Sequence, residues 1–444
     1  MSCQPKSNIR EIPTIISVDP SKPPLTEKNI HTRWHPEIPP IATIQSGDIF
    51  KVECMDFCGN AIANDDCADD IQNYNWHQDH HLSGPIRVET AQPGDVLAID
   101  IYDVVPFPDR MWGFSAVAPG KGPLDHKETR VAKSIWDFNG IKTTSRHVAG
   151  VEFAGRPHCG VFGTCPSYAL MDEWNRREKV LNEREGHGEG STFFAELPKE
   201  YGAYVGQDLP EDLMTRILKE GARTKPAREH GGNIDAGNLV SGSRIYLPVY
   251  IEGANLSVGD IHFSLGDGEP SCAIEMAGIA TLKVEVIKNG VELFDMRARI
   301  VIPSPTEVQY RSQVIFHGLS VDPYGEQQKA NATTSYMHAA NSAMNYLGKL
   351  GYSHEQLQML LAAAPIEAKI LATPNYPHAN VSVGIPIEIF EDDIRPSANG
   401  LVKKDRGSCA YMTPEKEAEW KKTFRAPPNC YSTCEDQPLA TRLR

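Results

Sequence analysis

The sequence predicts a mostly β fold of the α+β class, sandwich- or barrel-like, with several added helices. Short apolar or alternating segments such as "GDIFKVECMD" and "GDVLAIDIYDV" are each entered through a glycine, which is typical of strands bounded by turns. Asn289-Gly290 lies between two further strand-like segments, and Asn-Gly is the strongest two-residue signal for a β-hairpin. Helical periodicity is confined to a few blocks, so strands are expected to dominate.

The length of the chain predicts two or three subdomains, because 444 residues exceed the roughly 250–300 residues that one hydrophobic core usually covers. Composition and periodicity divide the sequence into six parts. They are an extended, proline-rich N-terminal arm (1–40), a first β-rich subdomain (41–165), a helical insertion or connection (166–230), a second β-rich subdomain carrying an acidic hairpin (231–325), a helical pair with a closing strand (326–395) and a C-terminal tail with a short helix (396–444).

Four blocks of the sequence predict helices. Residues 167–184 have apolar residues near helical spacing, and "PEDLMTRILKEGA" follows after a loop that contains "GHGEGS". Residues 328–365 predict two helices split at "LGY", the second preceded by a capping box of Ser353 and Gln356. In "TPEKEAEWKK", Thr413 is the predicted N-cap and proline takes the first helical position.

Charge and composition exclude several classes of partner. The net charge is −14 and no block rich in lysine or arginine occurs, which argues against nucleic acid and against an anionic membrane surface. No apolar run reaches the ~20 residues of a membrane span, and the N-terminus lacks the pattern of a secretory signal. The ten cysteines are scattered without a C-x-x-C motif, which favours reduced thiols in the cytoplasm over a disulfide scaffold or a structural zinc site.

The dipeptide Gly-Asp precedes an apolar strand-like segment three times, at residues 47–48, 94–95 and 259–260. Glycine supplies the positive φ of a tight turn and aspartate caps it, so Gly-Asp by itself predicts only a turn. The third copy differs from the other two because a histidine follows it. Since alternate side chains of a strand share a face, Asp260 and His262 are predicted to point one way and Phe263 the other way, into the core.

After the third copy, the sequence reverses through "GDGE" and returns with Glu275 between two apolar residues. A carboxylate at the edge of a core needs a partner, because its desolvation alone is costly. The residues themselves leave two interpretations open. One is a surface hairpin with an acidic tip and one satisfied glutamate, and the other is a metal or acid–base site.

Three other stretches favour the second interpretation. "HGGNID" combines two glycines, which let a backbone approach closely, with Asn233 and Asp235. "WHQDHHLSGPI" holds three histidines, and histidine and carboxylate are ligands for zinc and related ions. "RPHCGVFGTCP" adds His158 beside a cysteine, although adjacent residues of an extended chain point apart. Each stretch alone also fits a turn or a solvated loop.

Taken together, these stretches resemble the acetamidase/formamidase family, in particular its fungal and plant formamidase branch. The similarity extends over about residues 15–400, and its most specific part is the combination of "GGNID", "GDIHFSLGDGE" and "AIEMAG". The resemblance implies hydrolysis of short aliphatic amides to a carboxylic acid and ammonia, jelly-roll-like β-sandwich parts, a homo-oligomer and a divalent metal near the acidic motif. Leu265, where the family usually has glutamine, and a shortened stretch after Pro270 depart from the family pattern.

The resemblance also implies a set of site residues. Carried over by position, they are His81, Asn233, Asp235, Asp260, His262, Asp267, Glu269 and Glu275, with Asp56 in "VECMDFCGN" as a further acid. The residues assigned to substrate binding are Asn233, Asp260, Asp267 and His158. The residues assigned to the metal are His81, Asp235 and His262, with Asp56 as the alternative ligand.

The chemistry expected at this site is hydrolysis by metal-activated water. An unactivated amide resists water, and the sequence has no G-x-S-x-G, no Walker loop, no H-E-x-x-H and no G-x-G-x-x-G after a strand, so a serine nucleophile is unsupported. A divalent ion, zinc in particular, lowers the pKa of its bound water to about 7 and polarises a carbonyl. Glu275 or Glu269 is expected to take the proton of the water and pass it to the leaving ammonia.

Three hypotheses for the function follow. The first is a metal-dependent formamidase, cytoplasmic and homo-oligomeric, which converts formamide to formate and ammonia. The second is the same chemistry on another short aliphatic amide such as acetamide, for which Leu265 and the shortened loop would be the signals. The third is of another class, a non-catalytic metal-binding subunit of an assembly. Neither nucleic acid nor a membrane is an expected partner.

Overall fold

The computed structural model describes residues 11–184, 200–322 and 325–424, apart from positions 24, 121, 127, 375 and 399. The first ten residues of the predicted N-terminal arm, the "GHGEGS" loop and residues 425–444 of the predicted tail lie outside the described residues. Within the described part of the chain, none of the helices has both the length and the apolar character that crossing a bilayer requires.

Strands make up most of the regular structure. In chain order they are β1 (Thr14–Ile16), β2 (Ile30–His31), β3 (Arg33–Trp34), β4 (Ala42–Ile44), β5 (Ile49–Cys54), β6 (Leu82–Val88), β7 (Val96–Pro106), β8 (Trp112–Val117), β9 (Ala132–Asn139), β10 (Lys142–Ser145), β11 (Glu152–Ala154), β12 (His158–Gly163), β13 (Ala222–Arg223), β14 (Ala227–Arg228), β15 (Gly231–Asn233), β16 (Arg244–Pro248), β17 (Leu256–Ser264), β18 (Ile274–Met276), β19 (Gly278–Ile287), β20 (Ile300–Ile302), β21 (Gln313–Leu319), β22 (Glu367–Ala372), β23 (Asn380–Pro386) and β24 (Ala410–Tyr411).

Helices are fewer than strands in the described part of the chain. Among the described residues, the α-helices are α1 (Asp69–Asn73), α2 (Tyr168–Arg184), α3 (Glu211–Glu220), α4 (Gly290–Leu293), α5 (Ala332–Leu347), α6 (His354–Ala363) and α7 (Pro414–Thr423). Single 3-10 turns are formed by Trp76–Gln78, Glu200–Gly202 and Gly348–Leu350.

Two large sheets and two small ones organise the strands. The first large sheet has six strands in the order β1-β5-β19-β7-β16-β20. The second has thirteen strands, and its longest path is β11-β10-β9-β8-β18-β17-β12-β15-β14, with β6 attached to β17. β21-β23-β22 and β13-β3 form the small sheets. Neighbouring strands are antiparallel except that β1 runs parallel to β5 and β4 parallel to β6.

The two large sheets share one buried apolar core. Phe50 and Ile99 of the six-stranded sheet belong to the same buried cluster as Ile261 and Phe263 of the thirteen-stranded sheet. Burying one such side chain contributes about 1.5–3 kcal/mol, so this shared core is a main source of stability. The predicted mostly β fold of the α+β class is confirmed.

Both large sheets draw strands from the two segments predicted as separate β-rich subdomains, 41–165 and 231–325. In the six-stranded sheet, β19 pairs with β5 and with β7, and in the thirteen-stranded sheet β17 pairs with β12. The strands of one segment therefore find their hydrogen-bond partners in the other. The subdomain boundaries themselves stay a prediction.

The predicted helices are confirmed, including the split pair. The Oγ of Ser353 accepts a hydrogen bond from the backbone N–H of Gln356 at 3.2 Å, and the Gln356 side chain accepts one from the N–H of Ser353 at 2.8 Å, so the capping box is present. Thr413 is the N-cap residue of α7, but its side chain donates to Asp69 instead of bonding the helix N–H groups.

The predicted hairpin at Asn289-Gly290 is wrong. Asn289 does adopt the left-handed conformation, with φ of 53°, but the chain then forms the short helix α4 instead of a returning strand. The cause is a competing set of hydrogen bonds. The Asp95 carboxylate accepts from the N–H of Asn289 at 3.0 Å, and the N–H of Val291 donates to the carbonyl of Gly94 at 3.0 Å. These bonds hold the turn against the start of β7.

The first two Gly-Asp copies are turns, as predicted. Gly47 and Gly94 have φ of 98° and 92°, and each following carboxylate accepts a hydrogen bond from the backbone N–H three residues earlier, at 2.7 and 2.8 Å. The third copy is not a turn. Gly259 and Asp260 lie inside β17, where Asp260 has the left-handed φ of 55°.

β17 is the strand that positions the functional residues, and all nine of its residues are buried. One edge of β17 pairs with β12. Its other edge pairs with β6 up to Gly259, which lies opposite Leu82, and then with β18 from Ile261, which lies opposite Met276. Asp260 therefore lies where the strand changes its partner. The predicted alternation is confirmed by Phe263, whose ring stacks on Phe138 in the core at a centroid distance of 3.9 Å.

Candidate active site

A cavity of about 410 Å³ opens beside β17 and collects acidic residues from distant parts of the chain. Six of its lining residues form what we call the acid–histidine cluster: His80, Asp235, Asp260, His262, Glu269 and Glu275. β17 and β18 supply three of them, and the turn between these strands supplies Glu269. The other two come from the segments that precede β6 and follow β15.

His262 stands between a histidine and a glutamate on neighbouring strands. In the strand register it lies opposite His158 of β12 and opposite Glu275 of β18, so the three side chains occupy one level of the sheet. Its Nε2 is 3.1 Å from Oε2 of Glu275 and 3.3 Å from Oδ1 of Asp260. Its Nδ1 is 3.2 Å from Nε2 of His158. Both ring nitrogens therefore have fixed neighbours.

The hydrogen-bond network assigns the tautomers of these two imidazoles. Nδ1 of His158 lies 2.7 Å from the carbonyl oxygen of Arg156, and this nitrogen carries the hydrogen because a carbonyl only accepts. Burial and the nearby His262 lower the pKa of His158 to about 3, so His158 is neutral and its Nε2 accepts from Nδ1 of His262. Nε2 of His262, facing two carboxylates, then either carries a second proton or offers a lone pair to a cation.

Asp235 and Glu269 complete the cluster around His262. One ligand atom from each of Asp235, His262 and Glu269 lies within 4.8 Å of the other two. The same holds for Asp260, His262 and Glu275. His262 belongs to both groups and is the centre of the cluster.

Three acids of the cluster have a backbone conformation that residues other than glycine rarely adopt. The φ angles of Asp235, Asp260 and Glu269 are 42°, 55° and 35°, in the left-handed region. Such a conformation costs about 1–3 kcal/mol per residue and persists only where the surrounding structure enforces it, as it does for Asp260 inside a hydrogen-bonded strand. Strained backbone of this kind concentrates at functional sites.

Burial and neighbouring charges separate the pKa values of the acids. Burial and the charge of Asp260 raise the pKa of Asp235 to about 6. Burial, partly offset by His262, raises the pKa of Glu275 to about 8, and burial with the Asp235 charge raises that of Glu269 well above its usual range. Burial also acts to raise the pKa of Asp260, but the neighbouring histidines outweigh it and lower the pKa to about 2. The acids of one cavity thus differ in pKa, and Asp260 is the one that ionises most readily.

The residues of the cluster fit a divalent cation. Burial acts to lower the pKa of His262, but Glu275 and Asp260 raise it well above its ordinary value, so the acids hold a positive charge at this position. Among the described residues, Oδ1 of Asp235 and Oδ1 of Asn233 are buried side-chain oxygens that have no hydrogen-bond partner. Buried carboxylates are costly without a compensating charge, and carboxylate oxygen with imidazole nitrogen is a donor set that zinc and related ions take.

Gly160 of β12 has no side chain, and the cluster occupies the space that a side chain would fill. A Cβ atom at this position would lie 2.6 Å from Oδ1 of Asp235, 2.6 Å from Oδ2 of Asp260 and 2.8 Å from Cε1 of His262. These distances are shorter than van der Waals contact allows, so any larger residue would displace the functional groups. A glycine inside a strand marks such a close approach.

The structure brings six of the ten sequence-predicted site residues together. Asn233, Asp235, Asp260, His262, Glu269 and Glu275 line the cavity. The other four, His81, Asp56, Asp267 and His158, do not line it. His81 belongs to neither of the two groups of close ligand atoms around His262.

Asp56 belongs to the turn that follows β5, and His81, which directly precedes β6, packs against that turn. Nδ1 of His81 lies 2.9 Å from the carbonyl oxygen of Phe57, and its ring packs so closely on Gly59 that a Cβ there would come within 2.8 Å. Oδ1 of Asp56 accepts hydrogen bonds from backbone N–H groups of the same turn, including that of Asn60 at 2.7 Å. Asp56 and Nδ1 of His81 therefore hold the turn, whereas Nε2 of His81 is buried without a hydrogen-bond partner among the described residues.

Asp267 and His158 were predicted to bind substrate and lie outside the cavity. Oδ2 of Asp267 accepts a hydrogen bond from the N–H of Ala368 at 2.9 Å, and Asp267 lines a different cleft. Gly268, with φ of 92°, separates it from Glu269, so the two acids of "GDGE" reach different sites. His158 is fully buried behind His262 and orients it.

The features that depart from the family pattern are buried away from the cavity or at its edge. Leu265 is 1% exposed and does not line the cavity, so it cannot contact a substrate there directly. The carbonyl of Pro270 accepts a hydrogen bond from the side chain of Gln358, which does line the cavity.

Sequence reasoning missed several residues of the cavity. His80, not His81, lines it, with Nε2 at 3.7 Å from Oδ2 of Asp260. No pattern distinguishes the two, because they precede β6 in an irregular segment where alternation does not apply. Lys225 also lines the cavity and pairs with Asp79 at 2.7 Å. For Gly160 a signal existed, since an isolated glycine between apolar residues of a strand indicates a close approach.

Comparisons with known proteins agree with the motifs. The family model for the Acetamidase/Formamidase family matches residues 17–392. The formamidase of Methylophilus methylotrophus is 44% identical over 393 residues, which cover 87% of this chain and 96% of that protein. The acetamidase of Mycolicibacterium smegmatis is 40% identical over 376 residues, which cover 81% and 91% of the two chains. A solved γ-lactamase from Delftia acidovorans superposes with a TM-score of 0.86 at 40% identity, over 90% of this chain and 100% of that one.

Proposed function

The chain belongs to the acetamidase/formamidase family and hydrolyses the carbon–nitrogen bond of linear amides, and we propose formamide as its substrate and a divalent metal ion as its cofactor. The 44% identity to a protein named formamidase supports formamide, which would yield formate and ammonia. Acetamide is the second candidate, because a protein named acetamidase is 40% identical. The observation that carries the proposed chemistry is the acid–histidine cluster, which surrounds one oriented imidazole with carboxylates.

The proposed ligands of the ion are His262 and Asp235, with Asp260 as the third. The lone pair that His262 can offer, the unpartnered Oδ1 of Asp235 and the low pKa of Asp260 support this choice. Such an ion, when bound, supplies a water of lowered pKa and polarises the amide carbonyl. Zinc is the proposed metal, because imidazole and carboxylate are its usual ligands in hydrolases.

The other cavity residues would bind the substrate and move protons. Glu275 is the proposed general base, which takes a proton from the attacking water and delivers it to the departing ammonia, with Glu269 as the alternative. Asn233 lines the cavity with an unpartnered oxygen that can accept a hydrogen bond from the amide NH₂ group. His158 would hold the imidazole of His262 in the productive tautomer.

We expect protein purified without chelators to contain about one divalent ion per chain, as found at sites with three protein ligands and an open position. Asp235→Asn should lower the ion content strongly, since it removes an anionic ligand while asparagine still tolerates the left-handed backbone. Elemental analysis of both proteins, combined with ammonia release from formamide and acetamide, is the measurement.

Asp267→Asn is the matched control for the metal experiment, because Asp267 lies in the neighbouring turn and outside the cavity. It should keep the ion. Wild-type protein that contains no ion and retains full activity after chelator treatment would remove the metal from the proposal. An ion without ammonia release from any amide would instead favour a non-catalytic metal-binding subunit.

Replacing His80 and His81 one at a time with alanine should affect different properties of the protein. His80→Ala is expected to lower the rate of ammonia release about tenfold or more, because His80 lines the cavity beside Asp260. His81→Ala should instead destabilise the fold by about 1–3 kcal/mol, since it breaks a buried hydrogen bond to the carbonyl of Phe57, and should leave the rate per folded molecule nearly intact. Melting temperature and turnover, measured on the same samples, check this. A normal melting temperature with lost metal in His81→Ala would restore His81 as a ligand.

We also propose that the protein is cytoplasmic and that it forms a homo-oligomer. The seven cysteines among the described residues are free thiols, which supports a reducing compartment. Ile315, Ile370 and Leu371 are exposed apolar side chains of the small sheet β21-β23-β22, and exposed apolar side chains favour self-association. Light scattering of the purified chain measures the mass of the assembly.

A further inference from the structure

The cavity has a second side that the hydrolysis of formamide does not use. Besides the acid–histidine cluster, its lining includes what we call the apolar wall: Phe57, Trp76, Ala116, Ala118, Leu181 and Pro226. Formamide has three non-hydrogen atoms and no apolar group to place against such a wall. A volume of about 410 Å³ lies within the ~300–1,000 Å³ typical of pockets for much larger ligands.

The apolar wall is contiguous with the reacting groups. The rings of Phe57 and Trp76 stack at a centroid distance of 6.0 Å with an interplanar angle of 27°. The ring of Phe57 also lies 6.1 Å from that of His80, and Nε2 of His80 is 3.7 Å from Asp260. A group bonded directly to a carboxamide at the cluster would therefore reach the two aromatic rings.

The aromatic part of the apolar wall is held in place before any ligand binds. Trp76 lies on a 3-10 turn whose preceding residue, Asn75, accepts a hydrogen bond from the N–H of His77 at 3.2 Å. The ring of Trp76 packs edge-on against Tyr74 at 5.4 Å, and the Nζ of Lys225 lies 5.3 Å from its centroid. A preformed apolar surface binds a planar ring without first having to order its own side chains.

We propose that the cavity takes primary amides with an aromatic acyl group, of which benzamide is the simplest, and binds them more tightly than formamide. The inference rests on the proposed amide hydrolysis and assigns Trp76 and Phe57 as the residues that select the acyl group. In the reaction, water adds to the carbonyl carbon and the carbon–nitrogen bond breaks. The oxygen of water stays in benzoate, and ammonia leaves with the transferred proton.

The test compares formamide, acetamide, propionamide and benzamide as substrates of the full-length protein. Each additional apolar carbon of a substrate that is buried in a fitting pocket changes the preference over the smaller substrate by about tenfold or more. The KM for benzamide is therefore expected to be at least tenfold below that for formamide. Trp76→Ala should raise the ratio of the benzamide KM to the formamide KM about tenfold or more. Ala118→Leu, which fills the cavity, should raise the same ratio.

Ala372→Leu is the matched control, because Ala372 is exposed on β22 and does not line the cavity. It should leave the ratio of KM values at the wild-type level. Hydrolysis of formamide with no hydrolysis of benzamide and no competition by benzamide would overturn the inference and leave the proposed function standing.

A binding measurement tests the inference about the ligand separately from the proposed reaction when no turnover is detected. Calorimetric titration of benzamide into the Glu275→Gln variant reports affinity without hydrolysis, and the dissociation constant should rise about tenfold or more when Trp76→Ala is added. Absence of benzamide binding would overturn the inference. Tight benzamide binding in a wild-type protein that releases ammonia from none of the four amides would support the inference about the ligand and overturn the proposed reaction.

Discussion

Glu275→Gln is expected to lower the rate of ammonia release from formamide by about 10² or more, with the metal content unchanged. Glutamine preserves the shape of the side chain but cannot take up a proton from water. Glu275 lines the cavity, is 3% exposed and has its Oε2 at 3.1 Å from Nε2 of His262, so it is placed beside the centre of the cluster. Steady-state ammonia release and elemental analysis of the same preparation are the two measurements.

Glu355→Gln is the matched control for Glu275→Gln. Glu355 is also buried, at 6% exposure, and accepts a hydrogen bond from the N–H of Arg130 at 3.1 Å, but it lies on α6 and does not line the cavity. Its substitution should cost some stability and leave the rate of each folded molecule unchanged. Near-normal turnover of Glu275→Gln would contradict the assignment, and the same test on Glu269→Gln would then decide whether Glu269 is the base.

Gly160→Ala is expected to reduce turnover by about 10² while the protein still folds. The added Cβ would lie 2.6 Å from both Asp235 and Asp260, so these carboxylates must move by a few tenths of an ångström or more. A misplacement of about 1 Å at reacting groups is enough for a 10²-fold loss. The backbone of Gly160 is not left-handed, so alanine fits the strand itself and the effect falls on the cluster.

Gly348→Ala controls for the loss of a glycine. Its Cβ would meet no atom closer than 3.8 Å, and its φ of −59° suits alanine. Circular dichroism and melting temperature should show both variants folded, with turnover lost in Gly160→Ala alone. Wild-type turnover and ion content in Gly160→Ala would mean that the cluster has more room than the structure gives it.

The part of the site that lies on regular strands could be predicted from the sequence. Alternation on β17 separates Asp260 and His262 from Phe263, and the same logic placed Glu275 at the edge of the core. The pairing that sets His158 behind His262 is long-range, since the two residues belong to strands joined only in the folded sheet. Sequence alternation says which face a side chain takes but not which strand lies beside it.

The part of the site that lies on irregular segments could not be predicted. In the histidine pair, the direction of each side chain depends on the backbone just before β6, and it is His80 that lines the cavity, whereas the sequence-based prediction named His81. In "GDGE", the left-handed Gly268 and Glu269 decide which acid enters the cavity. The directions of these side chains depend on local dihedral angles that tertiary packing fixes, and the periodicity of the sequence does not predict such angles.

The strand residues of the cluster and the aromatic rings of the apolar wall come from different elements, and this difference bears on how such enzymes diversify. Asp260, His262 and Glu275 lie on strands of one sheet, whereas Phe57 and Trp76 belong, together with His80, to the segment between β5 and β6. Exchanges at Phe57 or Trp76 can alter which acyl group fits without replacing the strand residues of the cluster. We expect related enzymes that differ in this segment to prefer different amides, while their strands keep the same reacting groups.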